Sequence, residues 1–309
     1  MALKTLLVGL GQIGAGYDLT PEAGQQVFTH AKAVTGNPRF SLVAGVDPDA
    51  DCRRRFEAVY GVSAFPSVTA VPHDLLVDVA IVASPTASHA RITCEVLERF
   101  SLRAVLCEKP LAASVAEARR IVEACAARAV PLFVNYIRRA DPAVTEIKQR
   151  LDRGEIQAPV IGIVWFSGGL LHNGSHFLEL LSYWFGSVQS ASRIDGVGCR
   201  FCFRDGAVLF LEVPAGTFAL HSIELLAANG RLHYQRGGDL VEWQPVTTHP
   251  VLPDRRALAD AERIASGMAR YQSHVFEQLA RAIDGLTHTL CDGQQGLAMV
   301  EWITRVEQE

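Results

Sequence analysis

The sequence predicts an α/β chain of two domains: a doubly wound parallel sheet, then an α+β domain with an open, mostly antiparallel sheet. Three observations lead there. Short apolar strands alternate with helical segments through residue 137, as in a parallel sheet with right-handed crossovers. The first strand runs straight into a glycine pattern, Gly9-Leu10-Gly11-Gln12-Ile13-Gly14. Beyond residue 138, strand-like runs are joined by Asp-Gly and Asn-Gly, which signal antiparallel hairpins. The expected domains are 1–137 and 138–309, with the last helices packing back on the first.

Taken in order, Lys4 to Val8 is a strand, Phe28 to Val34 a helix, and Phe40 to Val46 a second strand ending at Asp47. Arg53 to Tyr60 reads as a helix and Val77 to Ala83 as a third strand, closed by Ser84-Pro85-Thr86. A helix near His89 to Arg99 leads to the strand Ala104 to Cys107, closed by Glu108-Lys109-Pro110. Ser114, three residues before Glu117, starts the next helix as a capping box. Pro131 to Asn135 is a short strand and Pro142 to Arg153 a helix. Val160 to Phe166 then reads as a strand and Ser175 to Phe185 as a helix. From Val188 to Trp243 strands are punctuated by Asp205-Gly206, Asn229-Gly230 and Gly237-Gly238-Asp239. Ala257 to Ile283 and Gly296 to Val306 are expected to be helical.

Composition narrows the function. A hydrophobic share of 49% and a charged share of 20% are ordinary for a globular protein. The net charge is -4, and no basic block is long enough to follow a phosphate backbone, which argues against nucleic acid. No apolar run reaches the length of a membrane span, and Leu6 to Leu10 is too short for a signal-peptide core. Seven cysteines at irregular spacing argue against a disulfide framework and for reduced thiols in the cytoplasm. Cys199 and Cys202 are three apart in a β-like run and so point to opposite faces. His172 and His176 are spaced for zinc, but no third ligand is identifiable, and no metal is expected.

Between an apolar strand and a helix start, the glycines carry a mechanism. Gly9 permits the tight turn, Gly11 lets backbone approach a pyrophosphate, and Gly14 allows close helix–strand packing. Asp47 is the expected acceptor for ribose hydroxyls. Its charge repels a 2′-phosphate, which favours NAD(H) and leaves NADP(H) as the alternative. Asp47 lies beyond the usual interval of about 20 residues, which points to an insertion in the Ala15 to Val27 stretch. There Pro21, Gly24 and two glutamines break any helix.

The ordered motifs GLGQIG, GVDPD (Gly45 to Asp49), SPTASH (Ser84 to His89), CEKPLA (Cys107 to Ala112) and GGLLHNGSHFLELL (Gly168 to Leu181) resemble the Gfo/Idh/MocA oxidoreductases. The resemblance implies a Rossmann domain and an α/β domain whose open sheet makes homodimer or homotetramer contacts. It implies hydride transfer between nicotinamide C4 and a secondary alcohol or ketone carbon of a sugar, nucleotide sugar or cyclitol. Gln12, Ile13, Ser84, Pro85, Thr86, His89, Glu108 and Asn135 join the glycines and Asp47 as expected cofactor contacts.

Lys109 matches the family lysine that assists proton transfer; a surface lysine paired with Glu108 is the plainer alternative. His176 matches the family histidine, and an imidazole suits proton removal near neutrality. Where the family most often has aspartate, four residues earlier, stands His172. Four residues apart on one helix face, the two imidazoles are placed to meet over one substrate. Asn173 and Ser175 are candidates for sugar hydroxyls, with helix capping an equal use for Ser175. Arg138 or Arg139 suits an anionic substituent, with a salt bridge to Asp141 as the alternative. Tyr17 and Asp18 are candidates to cover the cofactor; His30 is a candidate to face the cleft, with a place in the core as the plainer reading. A catalytically inactive cofactor-binding regulator of the same fold is the competing reading.

Overall fold

The computed structural model describes residues 2–19, 24–194, 197–214 and 218–309. The chain divides into two compact units, 1–140 with 269–300 and 141–268 with 301–309. The second unit thus starts three residues later than expected and leaves 269–300 to the first.

The first unit holds six parallel strands: β1 (Leu3–Val8), β2 (Phe40–Val46), β3 (Ala64–Phe65), β4 (Val79–Val82), β5 (Ala104–Cys107) and β6 (Leu132–Val134). Their order across the sheet is β6-β5-β4-β1-β2-β3, and Cys291–Asp292 adds an antiparallel edge beside β6. In β4 and β5 every residue is buried, which is why both read as unbroken apolar runs: a parallel sheet is covered on both faces. The helices are α1 (His30–Thr35), α2 (Ala50–Tyr60), α3 (His89–Arg99) and α4 (Val115–Ala127). Ser114 caps α4 by accepting from the Glu117 amide at 3.3 Å.

α1, read as Phe28 to Val34, lies at His30–Thr35. The glycine turn does not run on into a helix at once; α1 begins at His30. Yet the His30 amide donates to the Ile13 carbonyl at 3.1 Å, and the Ala31 amide to that of Gly14 at 2.9 Å. In a continuous helix the Ile13 carbonyl would accept from residue 17. The chain therefore leaves the helix after its first turn, makes a 13-residue detour, and resumes the ladder. Asp47 stands 33 residues after Gly14; without the detour the interval is 20, the usual value. The insertion inferred from that spacing lies here, although Pro21 itself falls outside the described residues. Asp18 staples the return: its carboxylate accepts from the Phe28 amide at 3.0 Å, the Thr29 amide at 2.7 Å and the Thr29 hydroxyl at 2.6 Å.

The second unit contains α5 (Pro142–Asp152), β7 (Val160–Phe166), α6 (Ser175–Phe185) and β8 (Val188–Ile194). There follow β9 (Gly198–Phe203), β10 (Gly206–Glu212), β11 (Ser222–Ala227), β12 (Gly230–Gln235), β13 (Leu240–Thr248), β14 (Arg256–Leu258) and β15 (Glu262–Ile264). The order is β14-β13-β12-β11-β7-β10-β9-β8, with β15 also on β13. Among the described residues of this unit, only β7 and β10 pair in parallel. Hairpins form at Asp205-Gly206 and Asn229-Gly230 as read. One sheet face carries the buried side chains Val164, Phe210, Ile223, Leu225 and Tyr234, and α6 buries Phe177, Leu180 and Leu181. On the other face Ile161, Trp165 and Leu226 are exposed.

The helix expected from Ala257 starts only at Tyr271. The alanine-rich stretch before it has helical propensity, but two short segments pair with β13 instead, and pairing outweighs propensity. α7 (Tyr271–Ile283) belongs to the first unit, where Phe276 packs edge-on to Phe40. α8 (Gly293–Gln308) begins in the first unit and ends in the second.

Candidate functional site

Five strands of the first unit end in one register row. Val46 is level with Val8, Val8 with Val82, Val82 with Cys107, and Cys107 with Val134. The next residue on each strand continues the hydrogen bonding: Gly9 to Val46, Ala83 to Val8, Glu108 to Val82, Asn135 to Cys107. Asp47, Gly9, Ala83, Glu108 and Asn135 therefore form a rank along the carboxyl edge, where doubly wound sheets bind ligands.

At its centre is the glycine turn. Gly9 has φ +98°, and a Cβ there would strike the Ala83 carbonyl and the Ser84 amide at 2.5 Å. A Cβ on Gly14 would collide with the Gly9 carbonyl. Gly11 differs: a Cβ there would meet no protein atom within 4 Å, so the protein's own packing does not require glycine. The open space there leaves room for close approach of a pyrophosphate. Asp47 is tied to the same turn, its Oδ2 accepting from the Leu10 amide at 2.8 Å and its Oδ1 from the Asp49 amide at 2.9 Å. Gln12 is exposed and Ile13 half-buried, and their amides head the interrupted helix. These residues fit a dinucleotide.

Ser84 and Thr86 are half-buried and Pro85 is exposed on the turn after β4, where the Ser88 hydroxyl donates to Ser84 Oγ at 2.8 Å. His89 is placed otherwise than a ligand contact needs. It is 1% exposed, with Nε2 2.8 Å from the Ser84 carbonyl and Nδ1 3.2 Å from that of Leu111. It pins two loops of the rank together.

Glu108 is buried, and its carboxylate anchors a polar network: His30 Nε2 lies 2.8 Å from Oε1, Asn135 Nδ2 donates to the same oxygen at 2.6 Å, and Gln272 Oε1 accepts from Asn135 at 3.3 Å. Burial alone would raise the Glu108 pKa, but His30, the Asn135 amide and the Lys109 charge outweigh it and hold it below its usual value. Lys109 is half-buried beside it, before a cis bond to Pro110. Burial lowers the Lys109 pKa, Glu108 opposes that fall, and Arg138 deepens it. Arg138 is half-buried in the turn Ile137–Ala140, whereas Arg139 is buried and donates to Gln295 Oε1 at 2.9 Å. Sequence reasoning left His30 in the core without a partner and missed Gln272, because no local pattern ties α1 and α7 to the end of β5.

In the second unit, Gly168 and Gly169, both at positive φ, lead into a π-turn, Leu170–Gly174, just before α6. The Gly174 amide reaches back five residues to the Gly169 carbonyl, at 3.1 Å. The segment carrying His172 and His176 is therefore a π-turn running into α6 rather than one α-helix. His172 is exposed and His176 buried. Asn173 Nδ2 is engaged by the Ser167 carbonyl at 2.7 Å. Ser175 is fully buried and makes no side-chain cap, so that alternative fails. Asp18 likewise serves the detour, while Tyr17 is 51% exposed. Cys199 is buried and Cys202 half-buried, on opposite faces of β9. Among the described residues no helix is long and apolar enough to cross a membrane.

Residues 3–136 match a family model described as an oxidoreductase family with an NAD-binding Rossmann fold. YrbE of Bacillus subtilis (strain 168), an uncharacterized oxidoreductase, is 33% identical over 253 residues, 73% of each chain. Inositol 2-dehydrogenase of Rhizobium meliloti (strain 1021) is 26% identical over 188 residues, 56% of this chain and 52% of that enzyme. The chain thus matches about half the length of that curated relative. The crystal structure of an inositol dehydrogenase homolog from Azotobacter vinelandii, complexed with NADH and myo-inositol, has the same fold. Its TM-score is 0.75 at 19% identity, over 100% of this chain and 95% of that one.

Proposed function

The chain belongs to the Gfo/Idh/MocA family of oxidoreductases, and from that premise we propose that it is an NAD(H)-dependent dehydrogenase of a sugar, nucleotide sugar or cyclitol. The rank at the carboxyl edge carries the reading: a glycine turn open at Gly11, an acceptor at Asp47 and a lysine of lowered pKa stand together. Bound there, a nicotinamide dinucleotide supplies the hydride acceptor or donor. Asp47 selects NAD(H) by accepting from ribose hydroxyls and repelling a 2′-phosphate. Lys109 hydrogen-bonds the reacting oxygen, and a pKa lowered by burial eases its exchange of a proton with that oxygen.

We assign His176 to proton transfer on the strength of the motif it matches, and Arg138 to an anionic substituent of the substrate. The exposed apolar sheet face supports a homodimer or homotetramer, and the seven free thiols fit the cytoplasm. Relatives named as inositol 2-dehydrogenases make cyclitols the first substrates to try.

Fluorescence titration with NADH and NADPH, then a turnover screen over cyclitols, sugars and nucleotide sugars, tests this. NADH binding with turnover of a polyol is the expected result. Tight NADH binding with no turnover across the panel would leave the inactive regulator.

A further inference from the structure

We propose that His30 is a positioning residue for Lys109: brought to the sheet edge by the resumed helix, it holds the Glu108 carboxylate fixed and ionised behind the lysine. The inference rests on the reading of Lys109 as the group that exchanges a proton with substrate.

His30 is fully buried, and its place is set by its own backbone, whose amide closes the helical ladder onto Ile13. From there Nε2 reaches Glu108 Oε1 at 2.8 Å. The same oxygen accepts from Asn135 Nδ2 at 2.6 Å, and Oε2 accepts from the Lys109 amide at 3.3 Å. Two of these groups are donors by necessity. His30 is the third in the tautomer with its proton on Nε2, and Nδ1, which makes no hydrogen bond among the described residues, then carries none. Buried N–H groups without partners are rarer than unpaired acceptors, which favours that tautomer. Three donors on one buried carboxylate favour the anion.

The surroundings bear on Lys109 with opposite signs. Burial drives the proton off, Glu108 retains it, and Arg138, from the turn after β6, adds to the effect of burial. Tyr271 on α7 and Cys107 on β5 are both pushed up by burial and by Glu108, so neither adds charge at neutral pH. Gln272 on α7 contributes an amide 3.4 Å from His30 Nε2. Glu108 is therefore the anion that opposes loss of the Lys109 proton, and His30 is its support.

The test is competitive labelling of the full chain with acetic anhydride across pH 6 to 11, reading Lys109 by peptide mass spectrometry. It needs no substrate or turnover, so failure of the dehydrogenase reading is distinguishable from failure here. Glu108→Gln should lower the Lys109 pKa by about one unit, a tenfold change in the unprotonated fraction. His30→Phe should lower it in the same direction by about half as much, and His30→Gln, which keeps an amide donor, should restore most of the wild-type value. In the Glu108→Gln background His30→Phe should add nothing. An unmoved or raised pKa in His30→Phe, or an equal shift in both backgrounds, would overturn the proposal. Should His30→Phe fail to fold, the unsubstituted protein still decides. Its Glu108 carboxyl 13C resonance, assigned by its loss in Glu108→Gln, should stay at the ionised position from pH 8 to 5. Titration in that window would also overturn the proposal.

Discussion

The amide of His30 donates to the carbonyl of Ile13 at 3.1 Å, although 17 positions separate them in sequence. The bond is one rung of a helix cut open after its first turn. The glycine turn keeps its geometry because the ladder resumes beyond the detour. Two features follow from this one arrangement: the long interval to Asp47 and the delivery of His30 to Glu108.

Asp18 should be the main tie of that detour. Its side chain is 1% exposed and takes three hydrogen bonds from Phe28 and Thr29, with the Lys32 ammonium 3.8 Å away. Removing the acceptor leaves buried donors unpaired. Asp18→Ala is expected to destabilise the chain by about 1–3 kcal/mol, and Asp18→Asn by less. Denaturant unfolding measures the loss. Hydrogen exchange locates it: the His30 and Ala31 amides should exchange faster while those of β4 and β5 stay protected. Unchanged exchange at His30 would remove Asp18 from this role.

Asp47 should set both affinity for the cofactor and choice between cofactors. Its oxygens are oriented by the Leu10 and Asp49 amides, so the carboxylate is presented rather than mobile. Asp47→Ser should weaken NADH binding at least about tenfold, roughly 1.4 kcal/mol. NADPH should lose less, because the repulsion of its 2′-phosphate goes with the charge. Paired fluorescence titrations read both constants. A wild-type preference for NADPH would cancel the role given to Asp47.

The legible and illegible parts divide along physical lines. β4 and β5 were readable because burial on both faces forces continuous apolar runs. The rank of site residues was readable because each follows its strand directly. Asp205-Gly206 and Asn229-Gly230 were readable because such pairs commonly punctuate hairpins, although none of the four residues takes a positive φ here. β14 and β15 were not, since a helix-prone stretch was captured by the free edge of β13. The π-turn at His172 was not readable either, because nothing in LLHNG announces it. The His30, Glu108 and Gln272 cluster is tertiary: 78 and 242 positions separate His30 from its two partners.

Lys109 should cost stability where it serves chemistry. Its folded pKa lies below the ordinary 10.5, chiefly through burial, so between those two values the unfolded chain binds more protons. Stability therefore rises with pH through that window, and below it the burial penalty on the ammonium is fully present. Lys109→Met should melt higher than wild type at pH 7 and lose the rise toward pH 10.5. Turnover should fall by about 100-fold or more. Glu108 has the opposite sign: its lowered pKa gives stability that is present above its ordinary value of 4.5 and lost as pH falls through the folded value. Glu108→Gln should flatten the acid side of the profile. Melting curves from pH 3 to 10.5 check both, and a lower melting point for Lys109→Met at pH 7 would contradict the first.

The exposed sheet face should be where copies of the chain meet. Ile161 lies directly across from Leu226 on β11 and level with Ala207 on β10, and Leu209 is level with Ile163. Ile161 is 57% and Leu226 46% exposed, and an open cavity of about 340 Å³ lies over them, lined also by Ile163 and Leu209 and bordered by Arg200. A contiguous apolar surface of this kind on a folded sheet marks an interaction site. Its interior side holds the core, so a charge on the outer side should leave the fold intact. Light scattering behind size exclusion should give a dimer or tetramer for the unsubstituted chain. Ile161→Arg should shift it to monomer with its circular dichroism unchanged. A monomeric wild type at tens of micromolar would end the proposal. A substituted chain that still assembles would move the interface elsewhere.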